Sequence, residues 1–310
     1  MNRGLLFYFI LSLIGYSIYV VMDAIAKKLI ADYHVSQIIF FNSLFSLVPI
    51  TIYITFKNGW KEVKQFNYKI QIARSTCALL AMIIFIISSN YLPLVTLYSI
   101  VFIFPLVLTI GANLFLGESV GWRRYSAITL GFIGVIISIN PFSVDFNKFI
   151  LVSFLSPVLA AAGWLIVKKF GQKESIFSFM FYGKLYLIFV TGLCLFYFFK
   201  SESGLDLQLN ILSGLLRGIG ILLTFIAASK LPSFLFAPTQ YVQIITGAII
   251  GYLYFGNIPT LNNYIGNLIV ISAGIYIIHR EVKLSKKIVS QSLRPTILTI
   301  EKHNKPVKIS

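Results

Sequence analysis

Residues 90–118, NYLPLVTLYSIVFIFPLVLTIGANLFLGE, and residues 229–257, SKLPSFLFAPTQYVQIITGAIIGYLYFGN, align without a gap at an offset of 139. Paired Leu-Pro dipeptides and paired Leu-Phe-Leu-Gly and Leu-Tyr-Phe-Gly endings fix the register. Upstream, Lys27-Lys28 falls on Lys168-Lys169 at an offset of 141, so the chain reads as a duplication whose unit is about 140 residues long.

Each unit is apolar almost throughout. The 310 residues are 57% hydrophobic and only 12% charged, a composition that suits lipid as solvent better than water. A hydrocarbon core of ~30 Å takes about 20 apolar residues per helix, because each helix satisfies its own backbone there. Ten such runs lie near 4–22, 36–56, 72–91, 94–115, 121–139, 149–167, 177–199, 209–229, 234–255 and 262–279. Leu92-Pro93 and Leu231-Pro232 divide the two longest apolar stretches, since proline ends a helix and restricts the residue before it.

The expected fold is therefore an all-α polytopic membrane protein with ten transmembrane helices in two five-helix repeats. The first covers 1–141, the second 148–280, and a basic tail follows at 281–310. Five is odd, so the second repeat enters the membrane from the opposite side to the first. Inverted repeats of this kind can exchange conformations and expose a central site to each side in turn. The first run could also be a secretory signal, with Arg3 ahead of it and Ala24-Ile25-Ala26 as a cleavage site, but its length and its counterpart in the second repeat favour a span.

The net charge of +16 also fits a membrane better than nucleic acid, because the basic residues sit between apolar blocks and in the tail. Twenty of the 26 Lys and Arg fall on one side of the predicted topology and four on the other, which puts both termini in the cytoplasm. The tail from Ser285 onward, polar and basic with Pro295 and Pro306, has the composition of a disordered segment at an anionic surface. Cys77 and Cys194 lie inside apolar runs and suggest neither a disulfide nor a metal.

Two basic residues, Lys184 and Arg217, fall well inside spans, where a charge is costly and usually faces a cavity. Arg217 lies on a stripe with Ser213, Gly214, Gly220 and Thr224, suited to a cavity wall or close helix contact. Lys184 has apolar neighbours one turn away, so snorkelling to the interface competes with a site role. Gln240 and Gln243, with Gly247 and Gly251, make a second polar stripe whose repeat partners are apolar; either the second repeat supplies most hydrogen bonds to a substrate or, equally, the amides bond between helices, since Gly247-x-x-x-Gly251 is itself a packing motif. Tyr241, Trp164, Tyr182 and Tyr186 offer rings that could stack on a planar base, although interface anchoring suits Trp164 better. Asp23 reads as an i,i+4 partner of Lys27 at the outer end of the first helix, with coupling or gating as the second option. Glu118 closes the fourth helix, where its repeat partner is Asn257; a solvated helix end is its simple reading, with coupling or gating as the second option.

An enzyme would need a catalytic constellation, and none is present. His34 lies in a short outer loop, His279 and His303 lie at or beyond the end of the last run, and phosphate-loop, His-Glu-x-x-His, Gly-x-Ser-x-Gly and paired intramembrane carboxylate patterns are missing. No cofactor is expected. The expected partners are the lipid bilayer, a small-molecule substrate and, as an option left open, a second copy of the chain in a homodimer.

The Leu-Pro hairpin, Pro105 in the fourth helix, Leu116-Gly117-Glu118 at its end and Gly131-x-x-Gly134 after it resemble the EamA-repeat branch of the drug/metabolite transporter superfamily. The resemblance covers about residues 4–280 and implies a ten-helix secondary carrier in a bacterial cytoplasmic membrane. Residues 167–184, VKKFGQKESIFSFMFYGK, and 237–259, APTQYVQIITGAIIGYLYFGNIP, are similar to S-adenosylmethionine uptake carriers of obligate intracellular bacteria. That likeness implies a substrate with a carboxylate, an ammonium and a sulfonium group. Many members have Glu where this chain has Asn257.

Overall fold

The computed structural model describes residues 3–64, 66–117, 121–142, 147–170, 174–231 and 236–276. Among them the chain is helical with no strand. Ten principal helices follow the predicted runs in order: α1 (Arg3–Leu29), α2 (Val35–Phe56), α3 (Tyr68–Tyr91), α4 (Leu94–Leu116), α5 (Trp122–Ile139), α6 (Phe149–Phe170), α7 (Ile176–Phe198), α8 (Gly204–Lys230), α9 (Val242–Phe255) and α10 (261–276). Seven of these, α1 to α4 and α6 to α8, are long and apolar enough to cross a membrane. Glu118 and the tail at 281–310 lie outside the described residues.

Two helices start earlier than hydropathy indicates. Asn67 Oδ1 accepts from Lys69 N at 3.0 Å and starts α3 at Tyr68, not 72. Ser203 Oγ accepts from Asp206 N at 3.2 Å and starts α8 at Gly204, not 209, with Asp206 in the first turn favoured by the helix dipole. Both extensions are capping turns in which Lys69 and Gln71, or Asp206 and Gln208, interrupt the apolar residues, so an apolar count stops short of them. They carry Arg74 and Arg217 deeper into their helices than the sequence places them.

The Leu-Pro junctions behave alike. Leu92 N donates to Ser88 O at 2.9 Å and Leu231 N to Ala227 O at 2.8 Å, each leucine then leaving its helix in extended geometry. Within α4 the helix stops at Val101 and restarts at Phe104, because Pro105 has no N–H to offer Val101. A 3-10 turn at Ala237–Tyr241 precedes α9 at the matching place. Gly117 and Gly256 close α4 and α9 with φ of +68° and +64°, a backbone region that glycine enters without a Cβ penalty.

Helix pairing has the same regularity. α1 packs along α8 as α3 packs along α6; α1 meets α9 as α6 meets α4; α2 meets α7 and α4 meets α9. At α5 and α10 a Cβ on Gly134 would stand 2.8 Å from Gly266 O, so the two backbones touch. α1 runs unbroken through Ala24-Ile25-Ala26 in the course of its contact with α8.

The solvent logic is that of a membrane protein. Large apolar side chains such as Ile52, Phe189, Leu253 and Tyr254 are exposed, while Ser12, Gln37, Asn42, Ser43, Ser46, Ser99, Asn210 and Ser213 are buried. The polar interior is held by bonds such as Asn42 Nδ2 to Ser213 Oγ at 2.8 Å and Ser99 Oγ to Asn267 Oδ1 at 2.7 Å.

Candidate functional site

Arg217 sits at the midpoint of α8, thirteen residues from Gly204, or ~20 Å along the axis at 1.5 Å per residue. There it faces Asp23 on α1, with Nη2 4.0 Å from Asp23 Oδ1. Their side chains are only 20% and 13% exposed. Asp23 Oδ2 accepts a 2.7 Å hydrogen bond from Tyr98 of α4. Three helices that are remote in sequence thus converge on one carboxylate.

The expected Asp23–Lys27 pair is overturned. Lys27 is turned away from Asp23 and donates to the carbonyls of Ser89 and Leu92 at the end of α3, an arrangement that satisfies two of its three ammonium protons where one i,i+4 pair would satisfy fewer. Asp23 is six residues inside α1 and its partner comes from α8, so the deep cations have a deep acid beside them.

The supporting residues explain the polar stripe on α8. A Cβ on Gly220 would stand 2.9 Å from the Tyr19 ring, and Tyr19 OH shares a 3.0 Å hydrogen bond with Thr224 Oγ1. Ser213 and Gly214 instead face α2, where Asn42 Nδ2 donates to Ser213 Oγ and a Cβ on Gly214 would meet Phe45 Cβ at 2.6 Å. Arg217 lies between these two contacts. A Cβ on Gly247 would stand 2.7 Å from Tyr98 Cδ2, so the small-residue pattern of α9 makes room for the ring that holds Asp23.

The Asp23–Arg217 pair is open, not closed. A tight guanidinium–carboxylate fork has N···O near ~2.8 Å, whereas this one stands at 4.0 Å and Arg217 Nε is buried with no hydrogen-bond partner. Lys184 on α7 is 8% exposed, so it does not snorkel to the interface. It lies within electrostatic range of Arg217 and of Arg74, and no carboxylate pairs with it among the described residues. Together these groups present one acid, the loosely paired Arg217 guanidinium and the Lys184 ammonium to the middle of the bundle, a surface for a ligand carrying charges of both signs.

The remaining predicted residues divide. Gln243 is buried one helical turn from Gly247, on the face of α9 that meets Tyr98. Gln240 is half-buried in the 3-10 turn. Tyr241 stacks on Phe102 at 4.8 Å and its hydroxyl abuts Gly274, so it packs helices together. Tyr182 stacks on Phe66 at 4.0 Å and Tyr186 OH meets Thr76 Oγ1 at 2.7 Å. Trp164 is 62% exposed. Among the described residues no group of three or more His, Cys, Asp or Glu could hold a metal.

Tyr98, Tyr19 and Arg74 were not singled out by sequence. For the tyrosines no sequence signal distinguishes them from interface aromatics. Arg74 had one: once Asn67 is read as a cap, it lies seven residues into α3.

Both ends of the bundle are tied by polar networks. At one end Gln37 Nε2 donates to Lys200 O at 2.8 Å and to Glu202 Oε1 at 2.7 Å, and Lys200 N donates back to Gln37 Oε1 at 2.9 Å. Asn210 joins Glu202 at 3.0 Å, and Tyr33 OH donates to Asp206 at 2.9 Å. At the other end Glu174 accepts from Gln71 Nε2 at 2.5 Å and Asn67 N at 3.1 Å, while Arg74 Nη2 donates to Phe179 O at 2.9 Å.

No protein-family model matches the chain. It is 30% identical over 285 residues to the S-adenosylmethionine uptake transporter of Rickettsia bellii, covering 91% of this chain and 96% of that protein. It is 28% identical over 285 residues to the S-adenosylmethionine uptake transporter of Rickettsia felis, covering 92% and 96%. Over 59% of its length it is 28% identical to a riboflavin transporter of Rhizobium johnstonii, of which it covers 61%. A solved crystal structure shares the fold with a TM-score of 0.63 at 11% identity, over 85% of this chain and 94% of the other.

Proposed function

The chain belongs to the EamA-type drug/metabolite transporters, and from that premise we propose that it carries S-adenosylmethionine into the cell by alternating access. The reading rests above all on the open Asp23–Arg217 pair at the midpoint of α8. S-adenosylmethionine bears a carboxylate for Arg217 and Lys184, and ammonium and sulfonium groups for Asp23. A site holding cations alone would suit it poorly; the carboxylate of Asp23 makes the charges match.

The proposed architecture is a pair of inverted five-helix repeats, 1–141 and 148–280, giving ten crossings with both termini in the cytoplasm. Its support is the reciprocal helix pairing and the matched caps, breaks and left-handed glycines at an offset of 139. The two polar networks then act as outer and inner latches, one closed while the other parts. The activity is vectorial movement without chemical turnover.

The test is counterflow of labelled S-adenosylmethionine into proteoliposomes of the purified protein. Saturable uptake inhibited by close analogues alone is the expected result. No uptake by folded, inserted protein sinks this substrate. A second reading, a carrier of amino acids or other carboxylate- or phosphate-bearing metabolites, draws on the excess of cations, Arg217 and Lys184 against Asp23. Preferential inhibition by those metabolites in the same assay would select it.

A further inference from the structure

A cavity of about 710 Å³ opens between α3, α6 and α7 with Phe225 of α8 as its far wall. Its volume is in the range that holds drug-sized ligands, roughly 300 to 1,000 Å³. It is set apart from Asp23 and Arg217, neither of which lines it. The basic ends of α3 and α6 put it at the cytoplasmic side of the proposed topology.

Three features of its lining are chemically specific. Arg74 is anchored by its bond to Phe179 O and by the Phe179 ring 5.1 Å from Cζ, yet its Nε is buried and has no partner. Glu174, fixed by Gln71 and Asn67, lines the same cavity but forms no ion pair with Arg74. Opposite charges held apart in one cavity are suited to the two ends of a zwitterion. Trp164 presents an exposed indole on the α6 wall beside Gly163, a stacking surface for a planar base.

The Arg74 guanidinium also reaches back toward the centre. A Cβ on Gly183 would collide with Arg74 Nη2, and Gly183 is the neighbour of Lys184. Arg217, Lys184 and Arg74 thus form a row of cations leading from the middle of the bundle to this cavity.

Building on the proposed function, we propose that this cavity is a second substrate site, where an adenosyl amino acid pauses on its way to the cytoplasm. Arg74 binds the carboxylate, Glu174 faces the ammonium or sulfonium group, and the Trp164 indole stacks on the adenine.

The chain has three tryptophans, so the double variant W60F/W122F leaves Trp164 as the sole indole reporter. Titrating this full-length protein in detergent with S-adenosylmethionine should quench its emission saturably. Arg74→Gln should raise the half-saturation at least tenfold, Arg74→Lys less, and the decarboxylated analogue should bind the parent as weakly as S-adenosylmethionine binds Arg74→Gln. Quenching should persist in Arg217→Ala, since that residue is not in the cavity.

Absent quenching, or quenching indifferent to Arg74, overturns the site even where counterflow succeeds. Saturable, Arg74-dependent quenching without counterflow supports the site while sinking the transport reading. Quenching by phosphatidylglycerol in mixed micelles but not by S-adenosylmethionine assigns the cavity to lipid and overturns the proposal. If the double variant is poorly folded, ligand-induced thermal shifts of the protein with all three tryptophans, with and without Arg74→Gln, separate the same outcomes: a shift that Arg74→Gln abolishes supports the site, and one it leaves unchanged overturns it.

Discussion

Phe102 and Tyr241 stand 139 positions apart, and their rings stack on each other at 4.8 Å and 18°. Each lies where its helix breaks, Phe102 at the interruption of α4 and Tyr241 at the passage from the 3-10 turn into α9. In the proposed duplication these are equivalent residues meeting at the axis that relates the halves. Their contact should therefore couple the two halves. In a double-mutant cycle, Phe102→Ala and Tyr241→Ala should show a coupling of about 0.5 to 1.5 kcal/mol in detergent unfolding. Simple additivity would remove the axis from that contact.

Tyr98 reaches Asp23 only because Gly247 has no side chain. Gly247→Ala should push the ring away and raise the KM for uptake about tenfold, roughly 1.4 kcal/mol. Tyr98→Phe should do the same, and the double variant should be no worse than either. Additive losses would mean that Gly247 acts elsewhere.

Removing one partner of a buried ion pair leaves an uncompensated charge and costs about 3 to 5 kcal/mol. Asp23→Asn should accordingly lower thermal stability, and D23N/R217Q should recover much of it. Transport should stay lost in both. Transport returning with stability would make the pair a structural strut only.

Gln37 makes three of the bonds that tie α2 to the segment between α7 and α8. Gln37→Ala should loosen that latch and favour the conformation open on its side. A cysteine introduced at the buried Ser213 should then react with a membrane-impermeant thiol reagent about tenfold faster, equivalent to a shift of roughly 1.4 kcal/mol. An unchanged rate would remove Gln37 from the gate.

The Gly134–Gly266 contact leaves no room for a methyl group on Gly266, whose Cβ would collide with Gly134 O. Gly266→Leu should therefore prevent folding, seen as loss of monodisperse protein after extraction. Normal yield and melting would show that α5 and α10 can separate freely.

Much of this architecture is legible in the residues. Apolar runs locate the helices and Pro93 marks a break, whereas the interruption of α4 ahead of Pro105 and the left-handed conformation of Gly117 and Gly256 emerge only from the fold. Helix starts are less so, because Asn67 and Ser203 cap with polar side chains outside the apolar count. The site is half legible. Arg217 and Lys184 are visible as charges inside spans, but the partner of Arg217 is set by α1 lying along α8, and nothing local to Asp23 announces it. Tyr241 shows the converse: a residue beside a polar stripe in the sequence stacks on Phe102 and sets its hydroxyl against Gly274 in the fold.

The decisive experiment is uptake of S-adenosylmethionine by Arg217→Ala in proteoliposomes, beside the unsubstituted protein and with folding checked by its melting profile. Substrate binding at the Asp23–Arg217 pair requires saturable uptake by the unsubstituted protein and none above empty liposomes by the folded variant. Full uptake by Arg217→Ala would show that the substrate binds elsewhere.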